Sequence, residues 1–84
     1  MSHHDPVDVD EATVEVIGAN DAEILRLTHA LARGGSDGEQ IRLAVELFKV
    51  SKRQEGILSE SPGLEDRARQ LAATRAELEA HYLG

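Results

Sequence analysis

Histidines and carboxylates near the N-terminus are the first residues of this chain that could do chemistry. His3 and His4 stand where an imidazole can bind Cu(II) or Ni(II) together with the terminal amine and two backbone amides. Four carboxylates that could gather a hard cation follow, Asp5, Asp8, Asp10 and Glu11, but no glycine among them supplies the sharp turn of a calcium loop. We therefore interpret this stretch as a solvated acidic tail, and we predict no metal site and no bound cofactor.

Nothing in the rest of the chain indicates a catalytic group. His29 has a cation, Arg33, and a glycine, Gly34, just beyond it, as a phosphate-accepting histidine often does. Phosphotransfer domains of that kind have four helices, however, whereas the patterns below indicate three. No nucleophile has a base in register with it, and no glycine-rich loop follows a strand. The sequence therefore favours a non-catalytic protein.

Three helical segments, at Asp21–Leu27, Ala44–Lys52 and Asp66–Arg69, resemble parts of one enzyme family, the all-helical chorismate mutases. Asp21–Leu27 is similar to the middle of that family's first helix, Ala44–Lys52 to its later part, and Asp66–Arg69 to the start of the second helix. Ala68 departs from the pattern, since the family has an acidic residue there. The resemblance implies a degenerate enzyme that binds a small dicarboxylate, and the anion-binding residues of this alternative are Arg42, Lys52 and Arg67.

A second alternative is a DNA-binding helix-turn-helix, which the stretch Val45–Arg53 resembles. Lys49 stands where a glycine usually makes the turn, and Glu55 falls where the second helix needs an apolar contact. The formal net charge of −7 also opposes binding to a polyanion. We therefore favour one continuous amphipathic helix here and no nucleic-acid partner.

The negative charge of the protein is concentrated at one end. Seven carboxylates and no Lys or Arg lie between Met1 and Leu25, whereas nine acids and nine bases cancel from Arg26 to Gly84. The chain has 84 residues, enough for one small domain, and no cysteine. It has no apolar run of membrane-spanning length, so we expect a soluble, cytoplasmic protein without a membrane partner.

Capping signals divide the body into three helices. Asn20, Ser36 and Ser61 each precede acidic residues and an apolar pattern, which predicts helices near 21–33, 38–58 and 63–83. The predicted fold is all-α: a small three-helix antiparallel bundle at 20–84 with an acidic, largely disordered or extended N-terminal arm at 1–19. A short helix instead of an extended segment at 11–17 remains open. The second helix is apolar on two sides, so we expect it to be central, with Phe48 in the core.

The third helix carries six residues at spacings of 4-3-4-3-4, which is the pattern of a coiled-coil seam. These residues, hereafter the α3 seam, are Leu64, Ala68, Leu71, Arg75, Leu78 and Tyr82. Arg75 would be an unpaired cation inside a closed monomer, but across a two-fold axis it could reach Glu77 or Glu79 of a second copy. We therefore predict a small non-catalytic interaction or regulatory module that forms a dimer, or binds another protein, through the α3 seam.

Overall fold

The computed structural model describes residues 10–84 and confirms the all-α bundle. Helix α1 spans Glu11–Ala32, α2 spans Asp37–Ser59 and α3 spans Glu65–Leu78. A π-helical segment, Glu79–Leu83, continues α3 to the end of the chain. Helices account for all the regular structure in the described residues, and none of them is long and apolar enough to cross a membrane. The expectations for residues 1–9, including the histidine pair, lie outside the described residues.

The first helix begins ten residues earlier than the capping signals predict. Of the two possibilities left open for 11–17, the structure has the helix, so an extended arm over 11–19 is wrong. Asn20 lies in the middle of α1 and is not a helix cap. The helix extends because Ile17 is buried against Leu58 and Ala68, and this tertiary packing outweighs the strand propensity of the β-branched residues.

The two turns differ in how well local signals predict them. Ser36 caps α2 as expected, with its hydroxyl oxygen accepting from the backbone N–H of Glu39 at 3.2 Å. Gly34 makes the preceding turn at a φ of 85°, where a side chain would be strained. Ser61, by contrast, does not cap α3: its hydroxyl donates to the carbonyl of Ile57 at 2.7 Å and so stabilises the end of α2.

The antiparallel pair α1 and α2 packs along two stripes whose members are spaced alternately by three and four residues. The stripe of α1 consists of Ile17, Asn20, Ile24, Leu27 and Leu31. The stripe of α2 consists of Ala44, Leu47, Ser51, Gln54 and Leu58. This is coiled-coil spacing, and in the antiparallel register Asn20 lies opposite Gln54. The α1 stripe therefore carries one polar residue among its apolar ones, and the α2 stripe carries two.

Helix α2 is central, as predicted. It packs against α1 on one side and α3 on the other, while the backbones of α1 and α3 do not approach each other within the described part of the chain. The buried apolar residues form two clusters, one at each end of the bundle. One cluster is Leu27, Leu31, Ala44 and Leu47, and the other is Ile17, Leu58 and Ala68.

Phe48 does not lie at the centre of the core. It is half-buried, and the guanidinium of Arg75 lies over its ring at 5.3 Å from the ring centroid. The fully buried large side chains are instead Leu27, Leu58 and Gln54. Phe48 has a cation–π partner on α3, so its ring links two helices at the edge of the core.

Candidate functional site

A buried polar layer separates the two apolar clusters. Gln54 has 0 % of its surface exposed and lies on α2 facing α1. Its side-chain amide nitrogen donates to the backbone carbonyl of Ile17 at 2.9 Å and to the Asp21 carboxylate at 2.7 Å. Its side-chain oxygen accepts from the amide of Asn20 at 3.1 Å. No fully buried side-chain nitrogen or oxygen atom of the described residues lacks a hydrogen-bond partner, so the buried groups of the layer are satisfied.

The polar layer also reaches α3. Arg67 donates to both carboxylate oxygens of Asp21, at 3.2 and 3.1 Å. Asp21 is a residue of α1, and its carboxylate accepts hydrogen bonds from Gln54 of α2 and Arg67 of α3. It therefore links all three helices. The ion pair is about half exposed and is worth little by itself, but it links α1 directly to α3.

Beyond this link, α1 and α3 leave a groove between them. We call it the α1–α3 groove; it has a volume of about 370 Å³. Ile24, Thr28 and Leu31 form one wall, Leu71, Thr74 and Leu78 form the other, and Leu47 and Ser51 of α2 form the floor. Glu77, His81 and Tyr82 lie towards the end nearest the C-terminus. The lining of this groove is predominantly apolar.

The polar groups in the groove walls are mostly occupied by bonds within the chain. The hydroxyls of Thr28 and Thr74 donate to the carbonyls of Ile24 and Gln70, four residues earlier, at 2.7 and 3.1 Å. The hydroxyl protons are therefore already used within the helices, and each threonine offers its methyl group and an acceptor oxygen to a molecule in the groove. A molecule in the groove would gain chiefly apolar contact.

Arg75 is held by an acid of its own chain. Its Nε donates to Glu55 of α2 at 2.8 Å, and this hydrogen bond raises the pKa of the guanidinium above its ordinary value. The expectation that Arg75 would be unpaired inside a single subunit is therefore wrong. The reason is the position of Glu55, which α2 brings against α3 although the two residues lie twenty positions apart in the sequence.

The rest of the α3 seam also packs within the subunit. Ala68 is buried with Ile17 and Leu58, and Leu64 and Leu71 pack against the same cluster. Leu78 and Tyr82 pack against the other cluster. The α3 seam thus packs within the subunit, although Leu71, Arg75, Leu78 and Tyr82 also line the α1–α3 groove.

The three cations proposed for anion binding are not brought together. Arg67 lies beside a shallow cavity lined by Asp21, Leu71 and Thr74, among others, and neither Arg42 nor Lys52 lines it. Arg42 and Lys52 are exposed on α2, and Arg67 is paired with Asp21. Over residues 10–84, no group of three or more His, Asp or Glu side chains is placed to hold a metal ion. The helix-turn-helix alternative also lacks its turn, since α2 is continuous through residues 45–53.

Sequence reasoning missed Asn20 and Gln54 as members of the core. The alternation of three- and four-residue spacings would have indicated their burial. On α1 it continues through Asn20 to Ile17, and on α2 it continues through Gln54 to Leu58. It was obscured because an asparagine before two acids is also a good helix cap. Leu25 follows Ile24 of the α1 stripe and is 57 % exposed, next to a groove wall.

Compared with protein-family models, curated proteins and solved structures, the chain shows no significant match. The function must therefore be inferred from the geometry of the chain itself.

Proposed function

We propose that this protein is a small non-catalytic interaction module that self-associates, with Leu25 of each copy inserted into the α1–α3 groove of the other. The observation that carries the proposal is an open apolar groove directly beside an exposed leucine. Leu25 follows Ile24, a wall residue of the groove, and precedes the wall residue Thr28 by three positions.

The shape of this surface favours a second copy as the occupant. A two-fold interface is self-complementary, because each patch must contain both the projecting group and the cavity that receives it. Leu25 and the α1–α3 groove supply these two features side by side on one face. A two-fold axis near Leu25 would place each leucine in the groove of the other copy.

The small core supports the same proposal. Only seven apolar residues of the described chain are buried, two of them are alanines, and the polar layer divides them into two clusters. A chain of this size with so few large buried side chains gains stability when a second copy covers its exposed apolar surface. Filling the α1–α3 groove would extend the cluster around Leu27 and Leu31 across the interface.

Sedimentation equilibrium with a charge substitution at Leu25 tests the proposal. Leu25→Glu places a carboxylate in the apolar groove, so we expect the variant to be monomeric at concentrations where the wild-type chain forms a dimer. Its helicity should persist, because Leu25 is largely exposed within the subunit. Val16→Glu is the matched control, since Val16 is an exposed apolar residue on the same helix but outside the groove.

The control should dimerise like the wild type. A wild-type chain that stays at the subunit mass of 9.1 kDa across the micromolar range would contradict the proposal. So would a Leu25→Glu variant that dimerises as strongly as Val16→Glu.

A further inference from the structure

We infer that the outward face of α2 binds an acidic amphipathic helix of a partner protein. Four cations of α2 are exposed, and none has a carboxylate within ion-pair distance in residues 10–84. They are Arg42, Lys49, Lys52 and Arg53, and we call them the basic stripe.

The lack of internal partners distinguishes these cations from the others. The protein has nine Lys and Arg residues, and four of them pair with carboxylates of the described chain. The paired ones are Arg26, Arg67, Arg69 and Arg75. Of the five that are left, only Arg33 lies outside α2. Within residues 10–84, the cations that have no carboxylate partner are thus concentrated on one helix.

The basic stripe has the geometry of a helix-docking surface. Arg42, Lys49 and Arg53 are separated by seven and four residues, which places them on one side of α2 over about 16 Å. Ile41, which is 48 % exposed, and the half-buried Val45 lie beside them. A cationic row next to an apolar row is complementary to a helix that has carboxylates beside aliphatic side chains.

The same surface is poorly suited to nucleic acid or to a lipid membrane. Glu46 lies within the basic stripe, between Arg42 and Lys49, and would face any polyanion that covered it. The net charge of −7 repels an extended polyanion at long range. An acidic helix needs only a few carboxylates at set positions, so it can place them against the cations and avoid Glu46.

The basic stripe is separate from the self-association surface. Leu47 and Ser51, which form the floor of the α1–α3 groove, lie on the opposite side of α2 from Arg42 and Lys49. The two surfaces can therefore be tested independently, and the inference does not depend on dimer formation.

Fluorescence anisotropy with a labelled synthetic helix tests the inference on the full chain. The probe carries Glu and Leu at helical spacing, and its control has Gln in place of every Glu. We expect the Glu probe to bind, added salt to weaken the binding, and the double variant Lys49→Glu/Arg53→Glu to lose at least about tenfold in affinity. The single variants Lys49→Glu and Arg33→Glu make the same charge change, one within the basic stripe and one at an exposed site outside α2. Lys49→Glu should weaken binding of the probe, whereas Arg33→Glu should bind it with an affinity close to that of the wild type.

Several results would overturn the inference. The Glu probe failing to bind is one, and equal binding of the Gln probe is another. Equal losses in Arg33→Glu and in Lys49→Glu would show that only the overall charge matters. Tighter binding to duplex DNA or to vesicles of anionic phospholipid than to the Glu probe would assign the stripe to a different class of partner. Circular dichroism of each variant checks that the three helices are retained.

Discussion

Removing Gln54 should destabilise the protein through the partner that it leaves behind. In Gln54→Leu, the side-chain amide of Asn20 loses its acceptor while it stays buried at 7 % exposure. An unsatisfied buried donor costs about 1–3 kcal/mol. The other two acceptors matter less, because Asp21 keeps Arg67 and is partly solvated, and the carbonyl of Ile17 keeps its bond within α1. We therefore expect a loss of about 1–3 kcal/mol in the free energy of unfolding.

Substitution of Asn20 alone and of both residues together completes the test. Asn20→Leu leaves the buried oxygen of Gln54 without its donor and should cost about the same. Asn20→Leu/Gln54→Leu removes both polar partners and joins the two apolar clusters, so its stability should lie within about 1 kcal/mol of the wild type. Urea unfolding followed by circular dichroism, at one protein concentration, measures all four proteins.

The double-mutant cycle also shows which result would refute a buried layer shared by Asn20 and Gln54. If the two single losses add up in the double variant, Asn20 and Gln54 do not share a buried layer, and the packing of α1 on α2 is not as described. Non-additivity of at least about 1 kcal/mol is the expected outcome.

Two further predictions concern the core and the surface. Leu27→Ala should cost about 2–5 kcal/mol, because Leu27 has 0 % of its surface exposed. Phe48→Ala should cost less, since Phe48 is only half-buried, and thermal unfolding of the two variants compares them. On the surface, hydrogen bonds from Arg26 hold the pKa of Glu23 below its ordinary value. This pair therefore stabilises the fold at neutral pH, and the contribution disappears as the pH falls through the folded-state pKa of Glu23. An acid titration should show a smaller loss of stability in Glu23→Gln than in the wild type, and identical titrations would contradict the pairing.

The architecture of the bundle was predictable from local patterns. The apolar residues on two sides of α2 indicate that it must be covered twice, and the structure places α1 and α3 there. Ser36 and the two preceding glycines mark the first turn correctly, because the local chemistry of a cap and a glycine turn suffices there. The start of α1 was not predictable by these rules, since burial of Ile17 against Leu58 depends on a residue forty-one positions away.

The helix that covers each buried face was harder to predict than the face itself. The spacing of the α3 seam shows that one side of the helix is buried, but it does not show which helix covers that side. In the structure α2 covers it, and Arg75 finds Glu55 there. The α1–α3 groove is likewise invisible in the sequence, because it results from how far apart α2 holds its two neighbours.

Cross-linking between differently substituted copies tests self-association through the α1–α3 groove most directly. The chain has no cysteine, so Leu25→Cys and Thr74→Cys each introduce a single thiol. The two variants are mixed and oxidised, and mass spectrometry then detects the mixed disulfide. Thr74 lines the groove, so the account predicts that the mixed dimer forms much faster than one made from Val16→Cys and Thr74→Cys. Equal rates for the two pairs would show that Leu25 does not enter the groove of a second copy, and would contradict the proposed function.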